Sequence, residues 1–159
     1  MGIGVLLGGE SGDRYAVLHA IALSKRLREP VHAIQQRAAH ASSRHSPPPT
    51  EAGQSLLLQL ANVLGMTVRC HVLEGQADLI ALLREQRISC LIVGVSDEMA
   101  AARAEKKMQT VRRAVAHDQQ WSIGSFWALV TGPWTEEAMA AALVDLPEGC
   151  RDIVEKGGT

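Results

Sequence analysis

Short apolar runs alternate with longer amphipathic stretches along this chain. Consecutive apolar residues are typical of buried strands, whereas apolar residues that recur every three or four positions are typical of helices. The short runs predict five strands, at residues 3–7, 31–34, 67–72, 90–94 and 126–130. The stretches between them predict four helices, at residues 15–28, 50–64, 77–86 and 99–117, followed by a short helix at 138–143.

The order of these elements indicates the fold class. Strands that alternate with helices favour right-handed crossovers and a sheet covered on both faces. The fourth run, CLIVG at residues 90–94, is apolar throughout, as expected for a parallel strand with helices on either side. The predicted fold is a single α/β domain with a doubly wound open sheet of five parallel strands. We assign residues 1–132 to the domain and 133–159 to a helical extension, loose beyond Pro147.

Local signals fix two details of the predicted helices. Gly65 follows the second helix and is expected to cap it in the left-handed conformation. In the fourth helix, Met108, Val111 and Val115 recur at helical spacing and predict its buried face.

Composition excludes several classes of protein. A length of 159 residues suits one domain with one core. A net charge of −1 with both signs interspersed argues against nucleic acid as a partner, and no apolar run approaches the ~20 residues that span a membrane. The start has no basic leader, so we expect a cytoplasmic protein.

One segment resembles a known family. Residues 72–85, VLEGQADLIALLRE, followed by CLIVG at 90–94, are similar to the part of universal stress proteins in which a strand ends in Glu-Gly, a helix follows, and a buried strand ends in Gly-Ser. The resemblance implies a sheet in the order 3-2-1-4-5 and a homodimer formed through the last strand. It also implies, as in some members, an ATP site where strands one and four diverge. The carboxyl ends of diverging strands form a crevice there.

Six residues are candidates for contacts with a nucleotide in that crevice. They follow strands one and four and are Gly8, Gly9, Glu10, Ser11, Gly94 and Ser96. The glycine-rich turn after strand one can equally be a tight turn without a ligand. An anion would bind there through free amides at the start of the helix.

The sequence departs from the ATP-binding members after strand four. Those members carry glycines spaced Gly-x2-Gly-x9-Gly-Ser/Thr, whose amides surround the phosphates. Here no glycine occurs between Gly94 and Gly124, and Asp97 and Glu98 bring negative charge. Phosphate cradles need glycine where the backbone approaches the ligand closely. We therefore expect no ATP bound in the family's usual manner and assign no cofactor, while an adenine nucleotide bound in another way stays open.

Basic residues of the fourth helix offer a substitute for the missing glycines. Side-chain cations can bind phosphate in place of backbone amides. The alternative is an ordinary solvated face of the helix, interrupted by Glu105. The residues concerned are Arg103, Lys106, Lys107, Arg112 and Arg113.

No pattern indicates a metal site or a catalytic group. His71 and Cys70 are neighbours on a strand and point to opposite faces, and His40 and His45 flank a loop without ligand spacing. His19 lies among apolar residues, as a packed histidine does. Three cysteines, Cys70, Cys90 and Cys150, are expected to be buried thiols. We do not expect an enzyme.

Aromatic residues are few and gather around the last strand. We predict a dimer interface along this strand, because an edge strand offers unpaired amides to a second copy. Its residues would be Phe126, Trp127, Leu129 and Trp134. The alternative is that the aromatic side chains fill the core beneath the fourth helix.

Three functions follow from these observations. The first is a non-catalytic stress-response or regulatory module that acts as a dimer through contacts with a protein partner and has a degenerate nucleotide pocket. The second is a sensor that binds AMP, a cyclic nucleotide or ATP. The third, a nucleotide hydrolase or transferase, lacks a recognisable phosphate loop.

Overall fold

The computed structural model describes residues 2–8, 11–36 and 51–157. Within these ranges the chain forms five strands and six helices. The strands are β1 (Gly2–Leu7), β2 (Val31–Gln36), β3 (Val68–Leu73), β4 (Ile88–Gly94) and β5 (Trp127–Thr131). The helices are α1 (Asp13–Leu27), α2 (Glu51–Leu64), α3 (Gln76–Glu85), α4 (Glu98–Ala116), α5 (Glu136–Val144) and α6 (Glu148–Gly157).

The five strands form one parallel sheet in the order β3-β2-β1-β4-β5. The α/β class, the parallel sheet and the strand order are therefore confirmed. β1 lies at the centre, where Val5 is paired with Ala33 of β2 and Ile92 of β4. The chain moves outwards in one direction from β1 to β3 and returns to the other side of β1 at β4. A crevice opens at such a reversal, above the carboxyl ends of β1 and β4.

Alternate residues of β1 point to opposite faces of the sheet. Ile3, Val5 and Leu7 point to a first face, where α1, α2 and α6 bury them. Leu6 points to the second face, which α3 and α4 cover. Gly4 also lies on the second face, and a Cβ there would come within 3.1 Å of the Ile34, Ile88 and Leu91 side chains. The missing side chain thus leaves room for larger neighbours.

The local predictions for α2 and α4 are confirmed. Gly65 ends α2 with a φ of +68°, a conformation that costs glycine little. Met108, Val111 and Val115 are the buried face of α4.

The prediction of a loose end beyond Pro147 is wrong. α6 forms there and packs against α2. Cys150 and Val154 lie four residues apart and so share one face of α6, and this face is buried in the core of the first face together with Leu146, which precedes the helix.

The expectation of buried cysteines holds for Cys150 and is wrong for Cys70. Cys70 is exposed, as is Val72 on the same strand, whose side chain is 52% exposed. β3 is an edge strand, and the helices cover it only in part. Cys90 is half-buried, and burial raises the pKa of its thiol to about 11.

Three turns at the carboxyl edge of the sheet touch through their backbones. A Cβ on Gly12 would lie 2.5 Å from the Cα of Val95, and one on Gly94 would overlap the carbonyl oxygen of Gly12. Gly132 has a φ of +105°, and a Cβ there would overlap the carbonyl oxygen of Val95. The Val95 amide donates a 2.9 Å hydrogen bond to the carbonyl of Thr131. These turns hold α1, β4 and β5 together where the crevice opens.

Two histidines pair on the second face of the sheet. His32 of β2 is 1% exposed, and its Nδ1 lies 3.0 Å from Nε2 of His71 on β3. The rings stack with centroids 5.2 Å apart. Burial, with the adjacent His71 as a lesser cause, lowers the pKa of His32 to about 4. The missing side chain of Gly2 makes room for the imidazole, since a Cβ there would approach Nε2 of His32 to 2.9 Å.

Among the described residues, no helix combines the length and apolar character needed to cross a bilayer.

Gly94→Ala should destabilise the fold by about 3 kcal/mol or more, because its methyl group would meet backbone that cannot rotate away. The matched control is Gly149→Ala in α6, where nothing lies within 4 Å of the added Cβ. It should be neutral or stabilising by up to ~1 kcal/mol. Urea unfolding measures both free energies. A loss below 1 kcal/mol for Gly94→Ala would show that the turns do not need their close contact.

The histidine pair should make stability depend on pH. In the unfolded chain His32 takes up a proton as pH falls below 6.5, whereas in the folded protein it stays neutral down to about pH 4. The free energy of unfolding therefore decreases as pH falls from 6.5 to about 4. The loss between pH 7.5 and pH 5 should be of the order of 2 kcal/mol. His32→Gln should reduce this difference, and His117→Gln, at an exposed position after α4, should leave it unchanged. Equal pH differences in all three proteins, measured by urea unfolding, would contradict this role of the pair.

Candidate functional site

A cleft opens at the predicted switch point, above the carboxyl ends of β1 and β4, with a volume of about 250 Å³. Gly8 and Gly94 line it, as do Val93 and Val95. Of the other sequence candidates, Ser11 and Ser96 are exposed and do not line the cleft, whereas Gly9 and Glu10 fall outside the described residues. We call this cavity the switch-point cleft.

Asp13 forms the floor of the switch-point cleft. It is 5% exposed, and its Oδ1 accepts a 3.2 Å hydrogen bond from the amide of Gly8. Gly53 of α2 packs against it, since a Cβ there would lie 3.1 Å from Oδ2 of Asp13. Asp13 is not among the residues that the sequence singles out for contacts with a nucleotide in the crevice. The carboxylate is favoured at that position by the positive end of the α1 dipole.

α4 forms one wall of the cleft through residues spaced three and four apart. Ala100 and Ala104 are small and leave the space open, while Arg103 and Lys107 place cations beside it. The Nζ of Lys107 donates a 2.6 Å hydrogen bond to Oε1 of Gln36 at the end of β2. Among the described residues, the lining thus carries two cations and one carboxylate, a net charge of +1.

The remaining basic residues of α4 do not reach the cleft. Arg112 is 2.7 Å from Glu105 and donates a 2.6 Å hydrogen bond to the carbonyl of Ala128. Lys106 and Arg113 are exposed. The two alternatives considered for this basic helix therefore apply to different residues: two line the cleft, and the others belong to the surface.

The amino terminus of α4 is already occupied by an acidic side chain. Asp97 is the residue before the helix, and its Oδ1 accepts a 2.7 Å hydrogen bond from the amide of Ala100. Free amides and the helix dipole make such a terminus a phosphate site in other proteins. Here a carboxylate takes one of the amides and adds negative charge.

The described residues that line the cleft include no serine, threonine, cysteine or histidine. Their ionisable side chains are those of Asp13, Arg103 and Lys107, and burial lowers the pKa of Lys107. Within the described ranges, no group of three or more histidine, cysteine, aspartate or glutamate side chains could hold a metal ion.

The four residues predicted at a dimer interface differ in their surroundings. Trp127 is 63% exposed at the start of β5, the edge strand. Phe126 meets Trp121 edge to face at 5.6 Å and packs against the core beneath α4. Leu129 packs against the core of the first face. Trp134 stacks on Tyr15 at 5.4 Å, and its Nε1 donates a 2.8 Å hydrogen bond to Oγ1 of Thr131.

No protein-family model matches the chain, and no curated protein sequence matches it. Its structure is similar to a protein of the universal stress protein family from Burkholderia pseudomallei, with a TM-score of 0.54 and 14% identity over 82% of this chain and 95% of the other. It is also similar to the U34-tRNA thiolase NcsA from Methanococcus maripaludis, with a TM-score of 0.51 and 11% identity, over 99% of this chain and 64% of the thiolase. A universal stress protein in complex with cAMP gives a TM-score of 0.48 and 16% identity, over 84% of this chain and 98% of the other. At these identities the likeness concerns the fold, and the chain has the fold of the universal stress protein family.

Proposed function

We propose that this chain is a regulatory module of the universal stress protein type that is not an enzyme. It does not hold ATP as the ATP-binding members do, and it works as a dimer through contacts with other proteins. The observation that carries the proposal is the capped amino terminus of α4, where the carboxylate of Asp97 lies 2.7 Å from the amide of Ala100.

Electrostatics at that terminus oppose a triphosphate. A phosphate group there would have to displace the Asp97 carboxylate and would meet Glu98 in the next position. Like charges at close range cost free energy, and the displaced cap alone is worth about 1 kcal/mol. The basic side chains of the cleft, Arg103 and Lys107, lie about two and about three turns beyond Asp97 along α4. They offset this repulsion only for a ligand that stays clear of the terminus.

A second candidate function follows from those cations. A nucleotide with a single phosphate, such as AMP, could place it beside Arg103 and Lys107, while Ala100 and Ala104 leave room for the rest. Charge-assisted hydrogen bonds to phosphate are strong and need no glycine. In this case the module would be a nucleotide sensor.

Titrations with Mg-ATP and with AMP test the two functions. We expect isothermal titration calorimetry at 150 mM salt to show no binding of Mg-ATP tighter than about 1 mM, which corresponds to about 4 kcal/mol. The regulatory module without a nucleotide predicts the same for AMP. Tight ATP binding, or release of phosphate from ATP that is lost in Asp13→Asn, would contradict the proposal.

The sensor predicts a different pattern with AMP. AMP would bind in the micromolar range, and Arg103→Gln or Lys107→Gln would weaken it at least tenfold. Lys106→Gln is the matched control, since Lys106 lies on the same helix and does not line the cleft. Equal weakening by the control would show general charge attraction instead of a site.

The dimer part of the proposal rests on the edge of the sheet. β5 is paired with β4 on one side only, within the described part of the chain, so its other edge offers amides and carbonyls to a further strand. Trp127 lies at the start of this edge and exposes a large apolar surface. Tryptophan is enriched at the centres of protein interfaces. Phe126, Leu129 and Trp134 would support the strand from within their own subunit.

Trp127→Ser should therefore weaken the dimer at least tenfold, as sedimentation equilibrium would measure. The matched control is Val72→Ser, which removes an exposed apolar side chain from β3 at the opposite edge of the sheet. It should leave the association unchanged. A wild-type protein that stays monomeric at 100 μM, or a dimer lost equally in both variants, would contradict an interface at β5.

A further inference from the structure

A second cavity lies on the first face of the sheet, between α1 and the connection from α5 to α6. Its volume is about 290 Å³, and most of its lining is apolar, including Ile21 of α1, Trp134 after β5 and Leu146. The described residues that line it are all different from those that line the switch-point cleft. We call it the α1–α5 cavity.

The walls of this cavity are held in place by specific contacts. Trp134 is fixed by its stacking on Tyr15 and its hydrogen bond to Thr131. The connection between α5 and α6 is fixed by Arg151, which donates hydrogen bonds of 3.0 and 3.3 Å to the carbonyls of Leu143 and Val144. A cavity with fixed walls binds a small molecule without the entropic cost of ordering them.

Opposite charges stand at the rim of the cavity. Lys25 and Asp145 both line it, and both side chains are exposed. No ion pair joins them in the part of the chain that the structure describes. Each can therefore meet the opposite charge of a ligand.

His19 adds a hydrogen-bond donor to this lining. Its Nδ1 is covered and has no hydrogen-bond partner among the residues that the structure describes, and burial lowers the pKa of the imidazole, which favours the neutral ring. A buried N–H without an acceptor is rarer in proteins than a buried acceptor without a donor. The single proton of the ring is then best placed on Nε2, the nitrogen left to meet a ligand.

We propose that the α1–α5 cavity binds a free α-amino acid with an apolar side chain. The side chain would lie against Ile21 and Trp134, the carboxylate beside Lys25 and His19, and the ammonium group beside Asp145. A small apolar body with both charges at one end matches an apolar interior with both charges at its rim. The volume is large enough for one such side chain. This proposal is independent of the function proposed for the switch-point cleft.

Calorimetry with L-phenylalanine and L-leucine tests the ligand class. We expect one of them to bind with a Kd between about 10 μM and 1 mM, a range usual for small ligands with few contacts. Two analogues of phenylalanine test the contribution of each charged group: 3-phenylpropionate lacks the ammonium group, and phenethylamine lacks the carboxylate. Each should bind at least tenfold more weakly than L-phenylalanine. No binding of either amino acid at 10 mM, or equal binding of an analogue, would overturn the proposal.

Substitutions of the residues at the rim test whether the amino acid binds in this cavity. Lys25→Met and Asp145→Asn should each weaken binding at least tenfold, and Ala22→Leu should abolish it by filling the cavity. The matched control is Arg26→Met, because Arg26 follows Lys25 on α1, is exposed and does not line the cavity. It should bind as the wild type does. Equal weakening by Arg26→Met, or unchanged binding in both rim variants, would overturn the assignment. The exposed rim positions decide the question even if Ala22→Leu does not fold.

Discussion

The structure depends on the backbone contact between three turns at the carboxyl edge of the sheet. Gly12, Gly94 and Gly132 bring their chains so close to Val95 or to one another that no side chain fits between them. The contact sets the position of α1 relative to β4, and through the Val95–Thr131 hydrogen bond it sets the position of β5 as well. The switch-point cleft lies beside this contact, so its shape follows from glycines that need not touch a ligand.

The electrostatics of the cleft follow from the same geometry. Gly94 ends β4, and the chain has only a few residues before α4 begins at Glu98. Asp97 falls at the helix cap and fills it, while the cations lie further along the helix on the side that faces the cleft. The described wall of the cleft is therefore positive, while the amino terminus of α4 carries acidic side chains. This separation of charge differs from a phosphate cradle, in which free backbone amides surround the ligand.

The fold could be predicted from the sequence because its strands are continuous apolar runs and its helices carry regular apolar stripes. The buried face of α4 at Met108, Val111 and Val115 is one case, and the αL cap at Gly65 is another. Features that depend on distant partners could not be predicted in this way. Asp13 becomes a cleft residue only because β1, α2 and α4 meet around it, and His32 finds His71 only through the register of β2 and β3.

α6 was not predicted from the sequence for a different reason. Cys150 and Val154 are too few, and too widely separated by charged residues, to stand out as a helix in the sequence. They become a buried face because α2 packs against α6. The prediction that Cys70 is buried is wrong for the opposite reason. Its strand pattern is regular, but the edge position of β3 leaves that face uncovered.

The hydrogen bond between Val95 and Thr131 has a thermodynamic consequence. Val95 lines the switch-point cleft, and Thr131 lines the α1–α5 cavity, so one 2.9 Å bond joins the walls of the two cavities. If a ligand in one cavity displaced its wall, this bond is a contact through which the other wall would move. In that case linkage requires that each ligand change the affinity of the other by the same factor. The short end of β5 is thus a place where the walls of two chemically distinct cavities are joined.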